Sequence, residues 1–186
     1  MKGGAPRAVW CTSENDPHVV SARSVAQTLD GQGKPVHVVW NPVRGELVQL
    51  LPVTRAGSLI GPEIGREGRV CVQIMVVGAA RLPFTHGHLK DLETVMAWLD
   101  SWGVAHRWPS GPPLDVPQAY QASQDRKQWS RGGHFGQSQV PGSTTPGPGG
   151  IDIRKLTGPE TPLAEIPRPR ASSESNGVAS RILTHL

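Results

Sequence analysis

The stretch Arg69–Val77, which reads RVCVQIMVV, decides the fold. It is a long apolar run that is rich in β-branched residues, and no charged residue interrupts it after Arg69. Runs of this kind are typical of strands that are buried on both faces of a sheet. The stretch therefore predicts a central buried strand.

The chain before this strand predicts a strand followed by a helix. Arg7–Cys11 (RAVWC) is a short apolar strand. Asp16 followed by Pro17 is typical of a helix start, because Asp accepts hydrogen bonds from free amides and Pro is tolerated in the first turn. Gly31 and Gly33 are expected to end the helix. Its apolar residues recur at helical spacing: Val19, Ala22, Val25, Ala26 and Leu29.

Two further strands and a second helix complete the predicted domain. Val36–Trp40 and Glu46–Leu51 are strands joined by a turn with the sequence NPVRG. Trp98 and Trp102 lie four residues apart on the flank of the second helix. The apolar stripe of that helix is predicted to be core: Leu89, Leu92, Val95, Met96 and Leu99.

The remaining segments of the domain are predicted to be irregular. Residues 103–133 are rich in Pro, Gly and Trp, and the segment from GGHFGQSQVP to GID is predicted to be a loop. The whole pattern predicts an α/β fold, a mixed central β-sheet flanked by helices and rich in loops.

Composition excludes several classes of protein. Gly and Pro contribute 22 and 18 of 186 residues, which excludes a helical bundle or coiled coil. No run of about 20 apolar residues is present, so no membrane-spanning helix is predicted. The start, MKGGAPRAVWC, lacks an apolar core, so no secretory signal is expected and synthesis in the cytoplasm is predicted. The basic residues behind the net charge of +4 are dispersed, which gives nucleic-acid binding little support.

The chain is predicted to divide into a domain, residues 1–157, and a Pro/Ser-rich C-terminal tail, residues 158–186. Four prolines oppose helix and strand in the first half of the tail, and serines then favour coil. The tail is interpreted either as a solvated segment or as an assembly arm that becomes ordered on a neighbouring subunit.

Four segments, in order, resemble the zinc-dependent N-acetylmuramoyl-L-alanine amidases (amidase-2 or peptidoglycan-recognition fold) of actinobacteria and their phages. They are residues 8–14 (AVWCTSE), 36–60, 67–78 (EGRVCVQIMVVG) and 131–152 (RGGHFGQSQVPGSTTPGPGGID). The resemblance implies a mixed sheet flanked by helices. It also implies hydrolysis of an amide by a metal-bound water, for which a catalytic zinc needs three protein ligands.

The residues at the family's functional positions depart from its pattern. The ligand positions fall on Cys11, Thr145 and Gly147, and the position of the acid falls on Met75. The family's loop His falls on Gln137. Gly has no ligating side chain, and Met cannot transfer a proton. The resemblance therefore implies a retained fold with an eroded zinc site, no catalytic or metal residue, and no cofactor.

Two alternative sites, a zinc site and a cysteine nucleophile with a base, could be formed from other residues. Cys11, His37 and His134 are ligand types that suit zinc. Cys11 could instead be a nucleophile with His37 as its base, although a small buried apolar role is favoured for this cysteine. The residues expected to form a residual groove are Cys11, His37, Gln73, His134 and Gln137.

Three functions remain. The first is a non-catalytic structural or decoration component of a phage or phage-derived particle, with other particle subunits or a second copy as partner and the virion as location. The second is a peptidoglycan-binding module without hydrolysis, and the third is an amidase with an unorthodox site. In the second, tryptophans could stack on sugars, namely Trp10, Trp40, Trp108 and Trp129, of which Trp10 and Trp40 could equally be core.

Overall fold

The computed structural model describes residues 4–61, 63–66, 70–115 and 125–159. Its centre is a five-stranded mixed sheet with the strand order β3-β2-β4-β1-β5. Strands β2, β4, β1 and β5 are parallel, and β3 runs antiparallel to β2 at one edge. The predicted α/β class with a mixed sheet is confirmed. The strand bounds are β1 Arg7–Thr12, β2 Val38–Asn41, β3 Glu46–Gln49, β4 Cys71–Val76 and β5 Gly133–Gly136.

Strand β4 is the middle strand, as its apolar run predicts. All six of its residues are buried, because the strand is covered on both faces. The two longer helices provide this cover: α1 (Ala22–Gly31) and α2 (Leu92–Ser101). Two shorter helices follow, α3 (Arg126–Ser130) and α4 (Ile153–Thr157). Among the described residues, none of these helices is long and apolar enough to cross a membrane.

The core has two layers, one on each side of the sheet. On one side, Trp10 and Ile74 pack with Leu99 of α2. On the other, Val9 and Met75 pack with the apolar face of α1. Successive strand residues face opposite sides, so β1 and β4 each supply both layers. The predicted helix stripe is core at Val95, Met96 and Leu99.

Helix α1 begins later than predicted. Its N-cap is Ser21, whose hydroxyl accepts a hydrogen bond from the Ser24 N–H at 3.1 Å. Asp16 closes a separate turn instead, because its carboxylate accepts from the His18 N–H at 2.8 Å. Val19 is consequently 73% exposed and does not belong to the helix stripe.

The predicted loop beginning at Gly132 contains a strand. Gly133–Gly136 forms β5, which pairs in parallel with β1 and places His134 beside Ala8. Gly133 permits a close approach to the segment before it, since a Cβ there would lie 2.5 Å from the Arg107 carbonyl oxygen. The prediction of a loop is therefore wrong for these four residues.

Two parts of the predicted organisation lie outside the described residues. They are residue 69, at the start of the predicted central strand, and the predicted tail apart from residues 158 and 159.

Candidate binding site at the carboxyl ends of the parallel strands

The order of the strands creates a crevice at one edge of the sheet. Strands β1 and β4 are neighbours and parallel, so their carboxyl ends meet. From β1 the chain continues into α1 on one face, and from β4 it continues towards α2 on the other face. In open α/β sheets, ligands bind where two adjacent strands send their connections to opposite faces. The ends of β1 and β4 are such a point.

A pocket of about 530 Å³ lies at these strand ends. We call it the apolar pocket, because most of its wall is aliphatic, aromatic or proline. Its polar groups are Glu14, Asn15, Asp16 and His18. The other lining residues are Pro17, Pro42, Val43, Val77, Gly78, Ala79, Leu82, Pro83, Phe84 and Gly87.

Glu14 connects the ends of β1 and β4. Its Oε1 accepts one hydrogen bond from the Thr12 hydroxyl and another from the Ala80 N–H, both at 2.8 Å. The backbone of Glu14 adopts the left-handed conformation with φ 59°, which is uncommon for a residue other than glycine. The carboxylate is thus fixed at the rim of the apolar pocket.

A second pocket, of about 290 Å³, adjoins the first at Asn15. We call it the hydroxyl pocket, because uncharged polar side chains supply much of its wall. Its Ser13 hydroxyl is buried and has no hydrogen-bond partner among the described residues. The lining residues are Thr12, Ser13, Asn15, Val20, Ser24, Val25, Thr28, Leu29, Gln32 and Met75.

The positions of the family's zinc ligands do not form a metal site in this structure. Cys11 is fully buried under α1, and burial raises the pKa of its thiol far above the usual value, which opposes the thiolate that zinc would need. Thr145 is exposed, whereas Gly147 is buried. A Cβ at Gly147 would lie 2.9 Å from the Ala80 Cβ and 3.2 Å from the Thr12 Oγ1, so a ligating side chain has no room there. These residues do not fit a zinc ion.

The position of the family's acid, Met75, also faces α1. It lies directly beside Cys11 in the sheet and lines the hydroxyl pocket with its thioether side chain. Gln137 is buried in the turn after β5, close to the end of that strand. Neither residue can act as an acid or base.

His37 and Gln73 hold a loop against the sheet. The Nδ1 of His37 accepts from the Gln73 N–H at 2.9 Å, so its Nε2 carries the proton and donates to the Arg55 carbonyl at 2.9 Å. The Gln73 amide accepts from the Leu59 N–H and donates to the Gly57 carbonyl, both at 3.0 Å. Burial lowers the pKa of His37. With both ring nitrogens engaged by the backbone, His37 is not free to act as a base for Cys11.

His134 lies on the opposite face of the sheet from Cys11. It is stacked between Trp10 and Trp108, and its Nδ1 accepts from the Trp10 indole N–H at 3.0 Å. Burial, with a smaller contribution from nearby His106, lowers the pKa of His134 to about 3. Because Nδ1 accepts, the proton of the neutral ring is on Nε2. This Nε2–H is buried and has no hydrogen-bond partner among the described residues.

The sheet thus separates the residues expected to share a groove. Cys11 and Gln73 lie on the face of the sheet that α1 covers, whereas His134 lies on the other face beside Trp10. The rebuilt set of Cys11, His37 and His134 is not brought together, and the described residues contain no cluster of three or more His, Cys, Asp or Glu side chains that could hold a metal ion. The four tryptophans offered as sugar platforms are all buried, at 2% exposure or less.

Residues 13–15 (Ser-Glu-Asn), which line the two pockets, were not singled out by sequence reasoning. Ser13 and Glu14 end the segment 8–14 that carries the family resemblance, and all three residues follow directly after an apolar strand. Their place after the strand becomes informative once β1 is known to lie beside β4.

No family model, curated protein or solved structure matches this chain.

Proposed function

We propose that this chain is a non-hydrolysing binding protein of the amidase-2 type, and that it holds a peptidoglycan fragment across the two pockets. The observation that carries the proposal is their arrangement. A hydroxyl-lined pocket and an apolar pocket adjoin at Asn15, at the switch point between β1 and β4.

The chemistry of the two pockets fits the two parts of such a fragment. Serine and threonine hydroxyls and the Asn15 and Gln32 amides in the hydroxyl pocket can both donate and accept hydrogen bonds, as sugar hydroxyls require. The apolar pocket, walled by Val77, Leu82 and Phe84, suits the side chains of a short peptide. A glycan unit that carries a peptide combines both kinds of surface.

The absence of hydrolysis is proposed from the residues that replace the family's machinery. Cys11 and Met75 are buried against α1, and Gly147 is pressed against the ends of β1 and β4. Their side chains offer neither a set of zinc ligands nor an acid. The role in a phage-like particle stays a prediction from the sequence, as no contact or surface of the described residues favours it over binding.

The test is a titration of ¹⁵N-labelled protein with three probes: a disaccharide-peptide of peptidoglycan, the disaccharide alone, and the peptide alone. We expect the disaccharide to shift amide signals around Ser13 and Thr28, the peptide to shift those around Gly78, and the joined fragment to bind more tightly than either. The fragment should remain uncleaved during long incubation with added zinc.

Two variants locate the glycan. Thr28→Val removes a hydroxyl from the hydroxyl pocket, and we expect binding of the disaccharide to weaken severalfold. Thr94→Val makes the same change on α2, away from both pockets, and should leave binding unaltered. Failure of all three probes to shift these signals would refute the proposal, and cleavage of the fragment would refute the absence of hydrolysis.

A further inference from the structure

We infer that the apolar pocket recognises a ligand segment that carries a protonated amine on an apolar chain, with Glu14 as the principal counter-charge. The inference rests on the proposed function, since it takes the pocket to be a ligand site, and it adds the chemical group that the pocket selects.

The first support is the charge of the pocket. Glu14 and Asp16 both line it, while among the described residues no Lys or Arg does. Neither carboxylate takes part in an ion pair with a described residue. His18 is the other titratable group at this wall. The chain as a whole has a net charge of +4, so the acidic character belongs to this place and does not reflect overall composition.

The second support is the way Glu14 is held. Both hydrogen bonds that fix its carboxylate end on Oε1, from the Thr12 hydroxyl and the Ala80 N–H. Oε2 accepts no hydrogen bond from any described residue. The carboxylate is therefore oriented in advance and keeps one oxygen for an incoming donor, and orientation in advance lowers the cost of binding.

The third support is the wall that surrounds the carboxylates. Val77, Pro42 and Phe84 supply apolar surface, and Leu82 extends it into solvent with 72% of its area exposed. A methylene chain can lie along this surface while its ammonium group reaches Glu14. An anionic ligand would meet two uncompensated carboxylates, and a neutral apolar ligand would leave them without a partner.

The experiment compares three small probes of similar shape at constant ionic strength: n-hexylammonium, n-hexanol and hexanoate. Binding is followed by the amide shifts of Asn15, Gly78 and Ala79 in the ¹⁵N-labelled chain of 186 residues. We expect n-hexylammonium to bind with a dissociation constant about two to five times lower than that of n-hexanol, as expected for one exposed ion pair, and hexanoate to bind most weakly.

The matched variants are Glu14→Gln and Asp30→Asn. Gln retains a carbonyl oxygen for the two hydrogen bonds, so Glu14→Gln should remove most of the preference for ammonium without loosening the strand ends. Asp30 is exposed at the end of α1 and lines neither pocket, so Asp30→Asn should keep the preference. Equal binding of n-hexylammonium and n-hexanol, or an undiminished preference in Glu14→Gln, overturns the inference while the peptidoglycan proposal stands. No binding of any probe in this pocket overturns the inference together with the peptide part of that proposal.

Discussion

At the scale of single residues, Gly147 shows how closely the loop after β5 lies against the strand ends. Its φ is +121°, and a Cβ would come within 2.9 Å of Ala80. Gly147→Ala is therefore expected to lower the free energy of unfolding by about 1–3 kcal/mol, from crowding and an unfavourable backbone conformation. The measurement is urea denaturation.

Gly31→Ala is the matched control for this change. Gly31 lies in the last turn of α1, and nothing would lie within 4 Å of an added Cβ. Alanine favours helix over glycine by about 0.5–1 kcal/mol, so this variant should be no less stable than the parent. A Gly147→Ala protein that unfolds at the parent's urea midpoint would contradict the close packing of the loop.

Gln73 illustrates a buried polar side chain whose role is to hold the chain together. Gln73→Met retains length but removes the partners of the Leu59 N–H and the Gly57 carbonyl. We expect a loss of about 2–4 kcal/mol in the free energy of unfolding, because two backbone groups lose their hydrogen bonds. Gln49→Met, at an exposed position of β3, should change it by no more than about 0.5 kcal/mol. Equal effects of the two changes would argue against this role for Gln73.

At the scale of secondary structure elements, the start of α1 depends on Ser21 and not on Asp16. Ser21→Ala should lower the free energy of unfolding by about 0.5–2 kcal/mol, since the Ser24 N–H loses its acceptor. Asp16→Ala should cost less, because Asp16 closes only a local turn. Thermal unfolding followed by circular dichroism compares the two, and the reverse order would restore the helix start predicted from the sequence.

The elements that the sequence predicts best are those whose burial is uniform. Strands β1 and β4 are mostly apolar because helices cover both faces, with Arg7 and Gln73 as buried polar exceptions, so their composition identifies them. Strand β5 was missed because two of its four residues are glycine, which is typical of loops. It is a strand because the edge of β1 offers a partner and because Gly133 and Gly136 allow neighbouring segments to approach closely. Neither cause is visible in a local stretch of sequence.

At the scale of the whole molecule, the buried histidine His134 links stability to pH. Its folded-state pKa of about 3 lies below the ordinary value of 6.5, so the unfolded chain binds the proton first as the pH falls. The contribution is fully present above pH 6.5 and is lost progressively towards pH 3. Between pH 6.5 and 5 we expect His134 to lower the free energy of unfolding by up to about 1.4 kcal/mol per pH unit.

The measurement is the slope of unfolding free energy against pH in that window. His134→Gln should reduce the slope while retaining an acceptor for the Trp10 indole, whatever it does to absolute stability. A slope that His134→Gln does not alter would mean that the buried ring is not the source of the acid sensitivity.

The candidate site could be predicted from the sequence only in part. The resemblance directed attention to Cys11, His37 and His134, but the alternation of side chains along β1 and β5 places Cys11 and His134 on opposite faces. Backbone groups engage both ring nitrogens of His37. Glu14 and Asn15 matter because β1 and β4 are neighbours, although the chain between them forms a helix and a hairpin. Strand order is a property of the assembled sheet, so no local pattern could have placed these residues beside the end of β4.

The position of β1 also determines when this sheet can form. Arg7 pairs with Cys71 on one side and with Gly133 on the other, so during synthesis β1 emerges before both of its neighbours and obtains the second only when β5 has emerged. Until β5 has emerged, at least one edge of this apolar strand is open to other chains, and contacts so distant in sequence form slowly. Nascent chains that stop before β5 should therefore depend on chaperones, because β1 gains its second neighbour only when β5 joins the sheet.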